Sequence, residues 1–256
     1  MYELKNISDK ELSIPKMIIF DYGHTLIYEQ SFDSIKGTEA VMAHAVKNPR
    51  NLSVTEVDEF FQQLSRDIGA RSRKHGIEVH FMIFLKLLFE YLEIELDITP
   101  QETEILYWDN AAPGVIMPYA DELISYLNKN GIRSGIISNI SFSGTTLAKR
   151  INRLLPHNKF EFIMASSEYV YRKPNKILFE LALKKASLKP DEVWFCGDNT
   201  DADIMGSSRA GIFPVWYESS LECYYLNRSS DTPPDCAHLH ITDWRDLVNV
   251  LDRLRV

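Results

Sequence analysis

Met17-Ile18-Ile19-Phe20 is an unbroken apolar run that stops at Asp21-Tyr22-Gly23-His24. Apolarity without alternation is the pattern of a parallel strand covered on both faces. The acid that follows falls at the strand's carboxyl end, where open α/β sheets take their ligands. From residue 28 to about residue 112 the apolar period becomes helical. Residues 31–46 predict a first helix. Ser53-Val54-Thr55-Glu56, a serine with glutamate three positions on, predicts the start of a second that runs to about Lys74. In residues 79–92, Phe81, Phe84, Leu85, Leu88, Phe89 and Leu92 recur at helical spacing, and Thr99-Pro100-Gln101-Glu102 opens a fourth helix. No strand pattern interrupts this stretch. Residues 28–112 are therefore expected to form an all-helical insert, with 1–27 and 113–256 as the body that carries it.

Pro113-Gly114 close the insert, and strands and helices then alternate: helix 119–130, strand 133–137, helix 143–154, strand 160–165, helix 175–186, strand 193–196, helix 203–210 and strand 213–216. Gly131, Gly197 and Gly211 stand at the joints. That order implies right-handed βαβ units on a parallel sheet. The expected fold class is α/β, a Rossmann-like parallel sheet core with an inserted all-helical cap. The first 15 residues, polar and ending at Pro15, are expected to be a loose lead-in, and residues 219–234 a polar excursion. His238-Leu239-His240-Ile241 predicts a last edge strand, and 244–254 a final helix.

Charge and cysteine usage narrow the setting. Thirty-six acids against 28 Lys and Arg give a net charge of −8, without the clustered positive charge that a nucleic acid or an anionic membrane surface requires. Neither is expected as a partner. Cys196, Cys223 and Cys236 are widely spaced and odd in number, and make neither a disulfide framework nor a C-x-x-C metal site. The opening Met1-Tyr2-Glu3-Leu4-Lys5 lacks the apolar segment of a signal peptide. The longest greasy stretch, residues 81–92, is broken by Lys86 and Glu90 and is too short to span a bilayer. A soluble, cytoplasmic protein is expected.

The candidate chemistry gathers just after the predicted strands. One segment is Asp21 to Leu26; a second is Ile136-Ile137-Ser138-Asn139; a third is Arg172-Lys173-Pro174, before a helix; the fourth is Cys196-Gly197-Asp198-Asn199-Thr200-Asp201-Ala202-Asp203. All four are expected on one edge of the sheet. Asp21, Asp198 and Asp203 are hard oxygen donors of the kind that hold Mg²⁺. Ser138, Asn139 and helix N-terminal amides suit phosphoryl oxygens. Lys173 offers a fixed positive charge against developing negative charge, and a carboxylate can itself attack phosphorus. The expected partner is a small phosphorylated substrate. Each residue also has a plainer use: acids at a helix start, Ser138 and Asn139 as a helix cap, Lys173 at a loop–helix junction. Arg71-Ser72-Arg73-Lys74-His75 reads first as a solvated helix end that offsets the helix dipole, with reach down to an anionic substrate as its alternative, and Cys196 as inert packing.

Taken in order, the four segments resemble the haloacid dehalogenase (HAD) superfamily, over residues 16–256, with the helical insert in the place of that superfamily's cap. The resemblance implies Mg²⁺-dependent phosphohydrolysis through an aspartyl-phosphate. It makes Asp21 the nucleophile, Thr25 the residue that steadies the loop, Ser138 the phosphate ligand of the second motif and Lys173 the lysine of the third. Asp198 and Asp203 match the acids of the G-D-x-x-x-x-D fourth motif. With Asp21 and the backbone carbonyl of Gly23 they form the implied metal set, and Ser138, Asn139, Lys173 and His24 are the expected substrate contacts. One position departs from the pattern. Phosphatases of the superfamily carry a second aspartate two residues after the nucleophile, which protonates the leaving group; here that position is Gly23. General acid catalysis typically contributes about 10²–10⁴ in rate, so the expected substrates are phosphates whose leaving groups need no proton: acyl, aryl or anhydride. His24, whose imidazole titrates near neutrality, is an alternative donor. Two further readings stay open here. Gly23 favours a degenerate binding or regulatory protein with little turnover, and Ser138-Asn139 and a small residue at position 23 keep a dehalogenase- or phosphonatase-like hydrolase in view.

Overall fold

The computed structural model describes residues 2–8, 12–221 and 233–255. Its centre is a seven-stranded sheet in the order β1 (Glu3–Lys5), β11 (His238–Ile241), β10 (Phe213–Tyr217), β9 (Val193–Gly197), β2 (Met17–Phe20), β7 (Arg133–Ser138), β8 (Ile163–Ala165). Neighbours are parallel except β1 with β11. Two expectations change here. The lead-in is not wholly loose, because Glu3, Leu4 and Lys5 pair with His240, Leu239 and His238, and β11 is therefore not an edge. A three-residue strand with one apolar side chain is too short to show a period.

β2 lies in the middle, and its unbroken apolarity has the expected cause: all four residues are fully buried. Ile18 and Phe20 face one layer, with α5 (Ala120–Lys129), α6 (Gly144–Leu154) and α9 (Trp244–Arg253). Met17 and Ile19 face the other, with α7 (Lys176–Ala186), against which α8 (Gly206–Arg209) packs. The chain runs from β2 out to β7 and β8, then returns to β9 on the opposite side of β2. Strand order thus reverses beside β2, the place where a crevice opens at the carboxyl ends of an α/β sheet. Phe20 is level with both Ile136 and Cys196, so the residues that follow these strands emerge at one edge.

The chain between β2 and α5 departs through β3 (Ile27–Glu29) and returns through β6 (Gly114–Ile116), an antiparallel ribbon. Between them lie α1 (Ser34–Met42), α2 (Val54–His75), α3 (Phe81–Leu92) and α4 (Pro100–Ala111). Both capping boxes form, Ser53 with Glu56 and Thr99 with Glu102. Phe81, Phe84, Leu85 and Leu88 of α3 pack with Val57, Phe61 and Tyr107. The insert is not purely helical, however: β4 (Ala45–Lys47) pairs with β5 (Glu95–Leu96), where the sequence suggests the end of the first helix. Among the described residues no helix is long and apolar enough to cross a membrane. Most of the expected polar excursion, with Cys223, lies outside the described residues.

Candidate active site

Asp21 leaves β2 with its N–H bonded to the Cys196 carbonyl at 2.9 Å, which ties the first residue of the loop to β9. Opposite it sits Lys173, whose side chain is 1% exposed. Its Nζ lies 2.6 Å from Asp21 Oδ1, 2.7 Å from Asp203 Oδ1 and 2.9 Å from the Ile137 carbonyl. A buried ammonium is tolerated only with close counter-charges. Burial by itself depresses the lysine's proton affinity, but Asp203 and Asp21 outweigh that and hold its pKa above the ordinary lysine value. The group stays charged. Asn139 fixes the backbone beneath it: Nδ2 donates to the Lys173 carbonyl at 2.9 Å, and Oδ1 accepts the Lys173 N–H at 2.7 Å. The Asn139 side chain thus positions Lys173, and it also lines the cavity where it is expected to meet substrate.

The fourth segment owes its geometry to Gly197. A Cβ there would lie 2.3 Å from Asp203 Oδ2 and 2.5 Å from Asp203 Cβ, so only glycine lets Asp203 fold back against the end of β9. Asn199 Oδ1 accepts the Ala202 N–H at 2.7 Å, and Thr200–Met205 form one wide π-helical turn, a form that recurs at functional sites. The helix expected from 203 thus begins earlier, and Asp203 sits within the turn, its Oδ2 accepting the Asn199 N–H at 3.1 Å. Gly197→Ala is expected to displace Asp203 and lower the melting temperature, since overpacking typically costs about 1–3 kcal/mol. An unchanged melting temperature would show that the turn relaxes freely.

Asp21, Asp198 and Asp203 each bring a carboxylate oxygen within 4.8 Å of the others. Asp203 Oδ1 has Lys173 as an ion-pair neighbour, yet it is buried without an aligned hydrogen bond. Burial pushes the Asp203 carboxyl up from 3.8 to about 6, with Lys173 opposing and Asp21 adding to the rise. Without metal, that carboxyl binds its proton more tightly in the folded chain than in the unfolded one. Its contribution to stability is present below 3.8 and is lost as pH rises through about 6. Asp203→Asn, which cannot ionise, is expected to gain stability on the metal-free wild type between about pH 4 and about pH 7. Urea denaturation in chelator checks it; a constant difference across that range would contradict it.

These groups line a chamber of about 310 Å³. Ser138 is buried at the end of β7 and forms part of the wall. His24 adopts a left-handed φ of 53°, with its N–H on the Ile27 carbonyl at 2.8 Å, and also faces the chamber. Thr25 is fully buried and its carbonyl accepts the Trp244 indole N–H at 3.1 Å, anchoring the loop on α9. No atom lies within 4 Å of the place a Cβ on Gly23 would take. Glu29, Trp108 and Arg172 also contribute to the wall, and the sequence assigns none of them a role there. Glu29 accepts from the Tyr22 hydroxyl at 3.2 Å and lies 3.5 Å from Arg150, and burial raises its carboxyl above the usual range. Arg150 lies over the Trp108 ring at 3.7 Å and donates to Asp109 at 2.8 Å. Arg172 pairs with Glu78 of the insert, which also accepts the Ser166 hydroxyl at 2.9 Å. Only Arg172, beside Lys173, carried a sequence signal. A larger cavity, about 840 Å³ between α5 and α9, shares no residue with this site, and its Asp243 and Arg245 pair with each other at 2.7 Å.

A family model described as haloacid dehalogenase-like hydrolase matches residues 18–216. The chain is 25% identical over 244 residues to a glyceraldehyde 3-phosphate phosphatase from Methanocaldococcus jannaschii, an alignment covering 94% of this chain and 98% of that one. Among solved structures, it matches a HAD phosphatase from Thermococcus onnurineus with a TM-score of 0.60 at 19% identity, over 94% of this chain and 99% of the other. It matches a 2-haloacid dehalogenase from Pseudomonas syringae pv. Tomato DC3000 equally well, at 0.60 and 22% identity over the same shares. Backbone shape alone thus does not choose between the two chemistries; the side chains have to.

Proposed function

The chain belongs to the haloacid dehalogenase-like hydrolases, and on that footing we propose that it is a Mg²⁺-dependent phosphohydrolase of small phosphorylated metabolites, with Asp21 as nucleophile. The convergence of Asp21, Asp198 and Asp203 within 4.8 Å carries the proposal. Three hard oxygen donors, one of them a buried atom without an aligned hydrogen bond, suit Mg²⁺, which takes carboxylate oxygens together with waters. Asp21, Asp198, Asp203 and the Gly23 carbonyl would hold the ion. When bound, it neutralises charge on the phosphoryl oxygens.

The Asp21 carboxylate attacks phosphorus, the bond from phosphorus to the leaving oxygen breaks, and the leaving group departs with that electron pair. Lys173 keeps its positive charge beside the site, and the Ser138 hydroxyl donates to a phosphoryl oxygen. Water then attacks the phosphorus held on Asp21, the phosphorus–Asp21 bond breaks, and inorganic phosphate and the free carboxylate result. Glycine at position 23 supplies no proton to the leaving group, so acyl, aryl and anhydride phosphates are favoured. The same absence favours a second reading, a binding protein with little turnover; a burst of phosphoenzyme that disappears in Asp21→Asn separates the two. The test of the main reading is a panel of phosphorylated metabolites, glyceraldehyde 3-phosphate included, assayed with and without Mg²⁺ against Asp21→Asn as blank. Acetyl phosphate and p-nitrophenyl phosphate are expected to turn over faster than simple sugar phosphates. The reverse order contradicts the leaving-group argument.

A further inference from the structure

We propose that the protein pairs with a second copy of itself through the outer face of α3, the two helices lying antiparallel about a two-fold axis at Leu87 and Leu88. Of the twelve residues of α3, all but Lys86 and Glu90 are hydrophobic. A helix apolar all round is ordinarily enclosed all round, yet among the described residues this one is enclosed on one side only. Phe81, Phe84, Leu85, Leu88 and Leu92 are buried, while Ile83, Leu87 and Tyr91 stand 66%, 48% and 64% exposed. Spaced four apart, these three run as one stripe along the helix. Phe60 of α2 widens the stripe, its ring stacked on Tyr91 at 5.1 Å. Along the same helix a groove of about 530 Å³ continues the apolar surface through Met82, Phe89, Leu96 and Ile98. Contiguous exposed apolar surface of this kind marks a contact with another molecule.

The charges on α3 choose the occupant. Lys86 and Glu90, both 71% exposed, lie 3.8 Å apart on one flank of the stripe, a loose pair that contributes little where it stands. An anionic membrane needs basic residues beside the stripe, and here Lys86 has an acid next to it. A second α3 laid antiparallel supplies the match. Such a pairing about Leu87 sets that leucine on its own copy and Ile83 beside the partner's Tyr91. A two-fold axis perpendicular to both helices also keeps like flanks together, so each Lys86 comes opposite the partner's Glu90. The midpoint between Lys86 and Glu90 is Leu88, and that between Ile83 and Tyr91 is Leu87, only about 1.5 Å away along the helix. One axis therefore serves the apolar stripe and both ion pairs, as a self-complementary contact requires. A parallel pairing would instead oppose lysine to lysine and glutamate to glutamate.

The experiment is sedimentation velocity of the full chain over roughly 1–100 µM at about 0.15 M salt, where repulsion between two chains of net charge −8 is screened. The wild type is expected to dimerise within that range. Leu87→Glu, which opposes two carboxylates at the axis, is expected to weaken dimerisation roughly 100-fold or more. Lys86→Glu and Glu90→Lys each set like charges against one another and are each expected to weaken it roughly 5- to 30-fold. The double variant Lys86→Glu/Glu90→Lys restores opposite charges across the axis and is expected to recover the wild-type affinity. All these positions are exposed, and circular dichroism checks that each variant folds. A wild type that stays monomeric throughout overturns the proposal and leaves the stripe to a different protein. A dimer that Leu87→Glu leaves intact also overturns it. Single charge variants without effect, or a double variant no better than the singles, overturn the antiparallel pairing.

Discussion

Replacing Asp21 by Asn is expected to lower kcat on acetyl phosphate by about 10⁴–10⁶, the scale of loss when a covalent nucleophile is removed. The two side chains are nearly isosteric, and Lys173 keeps both Asp203 and the Ile137 carbonyl as partners. The buried ammonium is therefore not left uncompensated, and the fold should survive. Circular dichroism and melting temperature, measured with kcat, separate lost chemistry from lost structure. A variant that keeps even one tenth of the activity would remove Asp21 from the role of nucleophile.

The second large effect is a gain. Gly23→Asp is expected to raise kcat for an alkyl phosphate by about 10²–10⁴, the usual contribution of a general acid, while leaving acetyl phosphate almost unchanged. The position can take the side chain: no atom lies within 4 Å of the new Cβ, and Gly23 is not among the residues with positive φ. A carboxyl placed beside Asp21, Asp198 and Asp203 would feel like charges that raise its pKa, which suits a proton donor. No gain on the alkyl ester would show that proton supply does not limit the rate. His24→Ala supplies the contrast: full activity in that variant removes the histidine as substitute acid, and a loss confined to alkyl esters would assign it that role.

Much of this was legible in the sequence because the relevant signals are local. Met17 to Phe20 reads as a buried strand because both neighbours in the sheet cover it, and the acid after it falls at the open edge for the same reason. The glycine before Asp198 reads as part of a motif, and the structure supplies its cause, the close approach of Asp203. What stayed hidden depends on distant partners. Leu4 joins the sheet only through its pairing with Leu239, more than two hundred residues on. The Asn139 side chain also holds the Lys173 backbone, a contact across 34 positions that no local pattern announces. Glu29 and Trp108 come from the ribbon and insert, whose facing is set by packing between elements rather than by any period within one.

The most direct test of the account is to trap the phosphorylated carboxylate. Wild-type protein turning over acetyl phosphate with Mg²⁺ is quenched with borohydride, which reduces an acyl phosphate to an alcohol, and the peptide carrying position 21 is read by mass spectrometry. Homoserine at position 21, absent without Mg²⁺ and absent in Asp21→Asn, is the predicted result. Sustained turnover with an unmodified Asp21, or reduction at another carboxylate, would contradict it.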